Sequence, residues 1–278
     1  MQTITIRHGE NQLATKVFVS SEDAFNVTSV IVMGKKECIL IDCQWTRANA
    51  HRVIAEILET GLELKAIYST HAHPDHYWGM GEIHSVFPNA KCYAPAPVCT
   101  LYSHQYQPKL DEWTEIIGET NLCRKQCDAL EPLTTDYMEL EGERLEIIRC
   151  MGDLMWNTIV WIPSIKTVVC SDVVFNDAHP FTCEVNEEQR KLWIKDIEGI
   201  YDLKPEVVIP GHMREGTPLD ESGLKFTKDY LIATEEELAA TTTPGEFYYH
   251  MAKRFPTATL NILSNEMNAE VFKGGRDW

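Results

Sequence analysis

No stretch of this chain approaches the roughly 20 consecutive apolar residues that a membrane-crossing helix requires, and Met1-Gln2-Thr3-Ile4-Thr5-Ile6-Arg7 has no signal-peptide apolar core. A cytoplasmic protein is expected. Basic residues are scarce: 25 Lys and Arg stand against 42 Asp and Glu, for a formal net charge of −17. Without a Lys/Arg cluster to neutralise phosphates, neither a nucleic acid nor an anionic membrane surface suits as a partner, which leaves a small molecule. The nine cysteines are odd in number and contain no Cys-x-x-Cys pair. They read as free thiols in a reducing compartment. Cys123 and Cys127 lie four apart, a spacing that suits one helix face better than a metal site.

What is present is ordinary globular material, 278 residues of which 44% are hydrophobic and 24% charged. That length holds one large domain or two small ones. A single domain over 1–278 is the expectation.

One stretch is not ordinary. Thr70-His71-Ala72-His73-Pro74-Asp75-His76 places three histidines and an aspartate within six residues. It follows a strand-like run, Leu64 to Ser69, and precedes Tyr77-Trp78-Gly79-Met80-Gly81, so it reads as a strand-to-helix loop. His71 and His73, two apart in extended backbone, project to one side and can share a divalent metal. Pro74 keeps His73 extended. Past the proline the chain turns, so Asp75 and His76 can aim at a second position. A packed core gains nothing from crowding three titratable rings, and a solvated loop has no need of them.

His-Ala-His-Pro-Asp-His resembles the HxHxDH signature of the metallo-β-lactamase superfamily. The resemblance implies an α/β fold, an αββα sandwich of two mixed sheets flanked by helices. It also implies further donors, each after a hydrophobic strand. Val168-Val169-Cys170-Ser171-Asp172 supplies an aspartate that in the family bridges two metals, and Ile209-Pro210-Gly211-His212 supplies the last histidine. Where the family has Gly-His-Thr, this chain has Met151-Gly152-Asp153, and no histidine lies between His104 and His179 to restore the pattern. By resemblance, His71, His73 and Asp153 hold one metal, Asp75, His76 and His212 a second, and Asp172 lies between them. The carboxylate at 153 is a harder, charged ligand, so one or two zinc ions, manganese or iron all fit. Asp42, ending the run Cys38-Ile39-Leu40-Ile41, is by resemblance a residue that orients a ligand histidine; a loop or helix cap is the alternative.

Along the rest of the chain, strands are expected at 17–19, 27–33, 38–41, 65–69 and 91–94, with a hairpin at Lys35-Lys36 and helices at 47–60 and about 77–86. In the first helix Val53, Ile54, Ile57 and Leu58 form the apolar face, and Gly61 stops it. Residues 95–132 carry prolines 95, 97 and 108 and a helix near 111–129; they read as a lid, with Tyr102, Tyr106 and Trp113 either walling a pocket or packing on the scaffold. A second set of short strands follows at 137–140, 144–149, 158–162 and 167–170. Then come a helix at 187–203, a strand at 207–209 ending in the turn Pro210-Gly211-His212, a helix at 220–240, and a helical extension from Thr241 with Gly274-Gly275 near its end. Packing across a homo-oligomer interface is one use for that tail.

The chemistry expected of such a site is attack of a metal-bound hydroxide on an acyl carbon, with Asp75 both ligating and handing a proton to the leaving group. Tyr77, Trp78, Trp156 and His179 are the candidate substrate contacts, although His179 could equally be a loop histidine satisfied by its neighbours. An aromatic surround points to a compact, aromatic-fused cyclic amide, and similarity to lactamase-like detoxification hydrolases points the same way. A lactonase or a glyoxalase-II-like thioesterase would use the same ligands. A metal-binding protein without activity is the alternative of another class. The acidity disfavours a nuclease, and the lack of a second cofactor domain disfavours a flavin-linked diiron oxidoreductase.

Overall fold

A computed structural model describes residues 1–9 and 12–277 of the chain. It divides into two compact units. The first takes Met1–Ser20, Val27–Ile148 and Val160–Ile165; the second takes Ser21–Asn26, Arg149–Ile159 and Lys166–Trp278, of which Trp278 itself lies outside the described residues.

The first unit is built on a seven-stranded sheet whose order follows the sequence: β1 Gln2–Arg7, β2 Ala14–Val19, β3 Thr28–Met33, β4 Glu37–Ile41, β5 Glu63–Tyr68, β6 Lys91–Ala94 and β7 Leu130–Pro132. The pairs from β1 to β4 are antiparallel and those from β4 to β7 parallel, so the sheet is mixed. Parallel neighbours need crossovers. These are α1 Arg47–Thr60, the short pair α2 Pro74–Tyr77 and α3 Met80–Val86, and α4 Ala96–Ile117. Strand β4 shows why the sheet forms where it does. Ile39, Leu40 and Ile41 are all buried on a two-sided strand, and each such side chain stabilises the fold by about 1.5–3 kcal/mol. Helix α1 starts where Thr46 caps the Asn49 N–H and ends where Gly61 turns left-handed. It buries Val53, Ile54 and Ile57, while Leu58, expected on that face, is 59% exposed.

The second sheet has five strands in the order β12-β11-β10-β9-β8, with β8 Tyr137–Leu140, β9 Glu143–Cys150, β10 Asn157–Ile162, β11 Thr167–Asn176 and β12 Val207–Met213. It is also mixed, since β8 and β9 are antiparallel and β11 and β12 parallel. The second unit adds α5 Glu187–Asp202, α6 Ser222–Ala240, α7 Pro244–Arg254 and α8 Met267–Lys273. Asn186 and Thr243 open α5 and α7 with reciprocal capping boxes. Tyr230 of α6, Phe247 and Met251 of α7 and Ala269 of α8 close a small core of their own, so the extension after Thr241 is packed structure.

Four sequence expectations change. The helix expected near 111–129 lies at 96–117, because Pro95 and Pro97 open a helix rather than break one. Cys123 and Cys127 therefore share no helix. Strand β1, whose Gln2-Thr3-Ile4-Thr5-Ile6-Arg7 alternates in burial, and the three-residue β7 add to the strands expected from sequence. Strands β11 and β12 run past the points where sequence ends them, so Asp172 and His212 lie within strands and not beyond them.

Candidate metal centre

In the first unit the histidine loop leaves the end of β5 and runs into α2. His73 sits at the helix N-cap in extended backbone with Pro74 at the first helical position, which sends His71 and His73 one way and carries Asp75 and His76 into the first turn. The rings crowd together: His71 lies 4.9 Å from His73 and 4.3 Å from His76 between centroids. Ligand atoms of His71 and His73 approach within 4.8 Å of each other, as do those of Asp75 and His76. His71, His73, Asp75 and His76 are all buried.

Asp42 organises this loop from the end of β4. Its backbone is left-handed, φ 59°, an uncommon conformation for a residue with a side chain. The turn brings its carboxylate under the loop: Oδ1 accepts from the Thr70 N–H at 2.9 Å, the Thr70 hydroxyl lies 2.9 Å from Oδ2, and Oδ2 faces His76 Nδ1 at 2.8 Å. With its Nδ1–H donating to Asp42, Nε2 is the nitrogen of His76 that could meet a metal. Thr70 repeats the logic one step removed, its Oγ1 lying 3.1 Å from His71 Nδ1. Thr70 is thus a positioning residue that sequence reasoning left unassigned, although it is adjacent to the motif.

The second unit holds the other donors. Asp172 sits in β11 beside Ser171, whose φ of 46° marks an irregular register against β12. That bulge explains how a strand-interior residue can offer its carboxylate to a site. Gly211 is required opposite: a Cβ there would lie 2.1 Å from Asp172 Oδ1. His212 Nδ1 faces the Phe25 carbonyl at 2.6 Å and its Nε2 faces Asp172 Oδ2 at 3.1 Å. The Asp153 N–H reaches the Asp172 carbonyl at 3.3 Å, and Asn157 Nδ2 donates to Asp153 Oδ1 at 3.1 Å. Ligand atoms of Asp153 and Asp172 are within 4.8 Å of each other, and both residues are buried. The Phe25 carbonyl and Asn157 carry no motif and could not be found from sequence.

These donors fit a divalent cation. If His212 gives its Nδ1 proton to a carbonyl, Nε2 bears a lone pair, and two electron-rich atoms then face each other at 3.1 Å. Only a proton or a cation between or beside them relieves that repulsion. Two buried carboxylates alongside need the same compensation.

The expected substrate contacts are placed differently from one another. Tyr77 and Trp78 are buried at 1% and 0% exposure. Tyr77 lies edge-on to Tyr102, and Trp78 against Tyr106 and Trp45. Burial pushes the Tyr77 and Tyr102 hydroxyls well above the usual phenol range. Trp113 packs edge-on against Trp45. Of the two uses sequence allowed for the 95–132 aromatics, these rings are engaged in packing. His179 is fully buried with Nδ1 3.0 Å from the Tyr230 hydroxyl, and burial lowers its pKa to about 4. Trp156 is half-buried at φ 73°, with the Arg149 guanidinium 3.7 Å over its ring.

Residues 23–212 match the metallo-β-lactamase superfamily. The chain belongs to that superfamily. Its two mixed sheets with flanking helices are the metallo-β-lactamase fold, and it is a hydrolase of that superfamily with a His/Asp cluster suited to a metal. Among solved structures, a metallo-β-lactamase from Pontibacter korlensis is similar with a TM-score of 0.63 at 18% identity, over 83% of this chain and 99% of that one. A metallo-β-lactamase family protein from Thermus thermophilus gives 0.60 at 20% identity, over 88% and 87%. One from Hirschia baltica gives 0.56 at 15%, over 83% and 98%. At such identities the likeness is one of fold. No curated protein matches the sequence, and no described helix is long and apolar enough to cross a membrane.

Proposed function

We propose that this superfamily member opens a cyclic amide, a lactam, in a small aromatic-fused substrate within the cytoplasm. The observation that carries the hydrolytic part is the Asp42-clamped loop, in which His76 is fixed in the tautomer that ligates through Nε2. Superfamily membership over 23–212 spans every donor the motif implies. On that basis we assign His71, His73 and Asp153 to one ion, Asp75, His76 and His212 to a second, and Asp172 to a place between them.

A divalent ion held by such donors supplies a Lewis acid and a water acidic enough to ionise near neutral pH. The residues do the rest. Asp75 ligates and also holds a proton for the leaving nitrogen, which an amide needs more than an ester because an amide anion is a poor leaving group. Asp42 and Thr70 keep the imidazoles aimed, so that little reorganisation accompanies the reaction. Trp156, the least buried aromatic beside a donor, is the ring we assign to the substrate. Zinc is the favoured ion, with manganese or iron as alternatives because Asp153 is a hard ligand. The lactam itself is supported by the solved metallo-β-lactamases of similar fold.

The test is hydrolysis of matched lactam, lactone and thioester substrates by protein of assayed metal content. Preference for the lactam, lost with chelator, is the expected result. Preference for the lactone or thioester would keep the hydrolase and overturn the substrate. No turnover on any of the three, with metal bound, would overturn the catalytic reading in favour of a metal-binding role.

A further inference from the structure

We propose that His84, Cys92 and Cys127 form a separate binding site for a soft divalent cation of the zinc class. The three donors come from different parts of the first unit. His84 is in α3, Cys92 is in β6, and Cys127 lies in the irregular segment between α4 and β7. One ligand atom from each lies within 4.8 Å of the other two. Cys92 and Cys127 are 1% and 4% exposed, and His84 is partly exposed. A tetrahedral zinc with bonds of about 2.3 Å to sulfur holds two sulfurs roughly 3.8 Å apart. With the ligand atoms within 4.8 Å of one another, closing the set around an ion brings the sulfurs together by no more than roughly 1 Å.

That backbone is held firmly. The Cys127 N–H donates to the Tyr102 hydroxyl at 2.6 Å, and the Cys123 N–H to the Trp45 carbonyl at 2.9 Å. The Lys125 carbonyl sits so close to Gly81 of α3 that a Cβ there would lie 1.8 Å from it. Cys92 is fixed between Ile67 of β5 and Leu130 of β7 by parallel pairing on both sides. Three chain segments are thus pinned with their soft donors converging.

A buried cysteine on its own is usually a small apolar side chain. Here the two thiols interact directly. A hydrogen bond between them holds Cys92 up and Cys127 below the ordinary thiol range, so Cys127 is the readier thiolate. An imidazole completes a two-sulfur, one-nitrogen set that favours zinc over the harder ions. The partly exposed His84 side leaves a fourth position for water. Binding releases the thiol protons and forms two metal–sulfur bonds and one metal–nitrogen bond, with no change in oxidation state.

Cobalt binding to the reduced, metal-stripped full chain tests the proposal. The ligands assigned to the histidine loop are all nitrogen and oxygen, so a strong near-ultraviolet sulfur-to-cobalt charge-transfer band reports this site alone. We expect that band to saturate at about one equivalent per chain. It should vanish in Cys92→Ser and Cys127→Ser, shift in His84→Ala and persist in Cys183→Ser. Cobalt binding without a sulfur band in the unsubstituted chain would overturn the site. A Cys92–Cys127 disulfide in protein isolated without reductant, with no thiolate–cobalt band after reduction, would overturn it in favour of a redox pair. Should the serine variants fail to fold, thiol labelling of the unsubstituted chain decides: zinc should slow modification of two thiols at least tenfold, and unchanged rates would refute the site.

Discussion

The donors in the first unit and those in the second are built by opposite means. His71, His73, Asp75 and His76 occupy one short loop, and a single carboxylate, Asp42, fixes Thr70 and His76 together. Asp153, Asp172 and His212 are far apart in sequence, and each is placed by a different device: a turn hydrogen-bonded to β11, a bulge at Ser171, and a carbonyl from Phe25. A contiguous loop concentrates its geometry in one supporting residue. A dispersed set divides that task among several backbone contacts, so no single support should matter as much.

The largest effect should come from the loop itself. Asp75→Ala removes a proposed ligand that is also the proposed proton carrier, and turnover should fall at least 100-fold. Wild-type turnover in a variant with unchanged metal content would remove Asp75 from catalysis. Asp42→Asn comes next. Asparagine keeps the shape and one oxygen acceptor but lacks the charge that holds His76 Nδ1, so metal affinity should weaken about 10–100-fold. Asn157→Ala, which removes the hydrogen bond to Asp153, should weaken it less. Equal losses from the two variants, measured by competition with a chelator, would erase the contrast between the loop and the dispersed set.

The same contrast explains what could be read from sequence. The loop was legible because its chemistry is contiguous: no core requirement produces three histidines and an aspartate in six residues. Asp172 and His212 are legible only through the superfamily pattern, and both lie inside strands that sequence patterning ends before them. Val168-Val169-Cys170 reads as a strand that ends, whereas the strand continues through a left-handed serine that periodicity cannot reveal. Asp42 stands out in sequence as the end of an apolar strand, but its partners depend on a positive φ that sequence does not disclose. In the fold, strands β6 and β8 and helix α1 match their expected limits because each has a clear apolar pattern and terminators. Helix α4 is hard to place from sequence because proline both starts and stops helices, and here Pro97 lies in its first turn. Burial of Tyr77, Trp78 and His179 is a tertiary outcome: nothing local separates a ring that lines a cavity from one that fills it.

His179 extends the comparison to pH. Burial lowers its pKa to about 4, against about 6.5 in an unfolded chain. Above pH 6.5 both states are neutral at this residue and it has no effect. As pH falls from about 6.5 toward 4, the unfolded chain takes up a proton that the folded chain does not, so stability declines by up to about 1.4 kcal/mol per pH unit. In His179→Gln that component is absent. Denaturant unfolding at pH 7 and pH 5 should show the wild type losing about 2 kcal/mol more than the variant; parallel losses would mean that His179 protonates in the folded protein.

The smallest expected effect is the most specific to this chain. Asp153 occupies the position where the superfamily resemblance calls for histidine, and its Oδ1 accepts a hydrogen bond from Asn157. A carboxylate there adds negative charge and hardness, which narrows the difference between zinc and manganese. Restoring nitrogen with Asp153→His should therefore raise the ratio of zinc to manganese affinity, by about tenfold on the softness argument. The incoming imidazole is larger than the carboxylate and its neighbours are buried, so the metal-free variant should also lose some thermal stability. Affinity ratio and apo stability are independent readouts. A ratio that stays constant while apo stability falls would show that Asp153 only packs beside β11. A ratio that rises would place Asp153 among the ligands and make the departure from the superfamily pattern a choice of metal rather than a lost function.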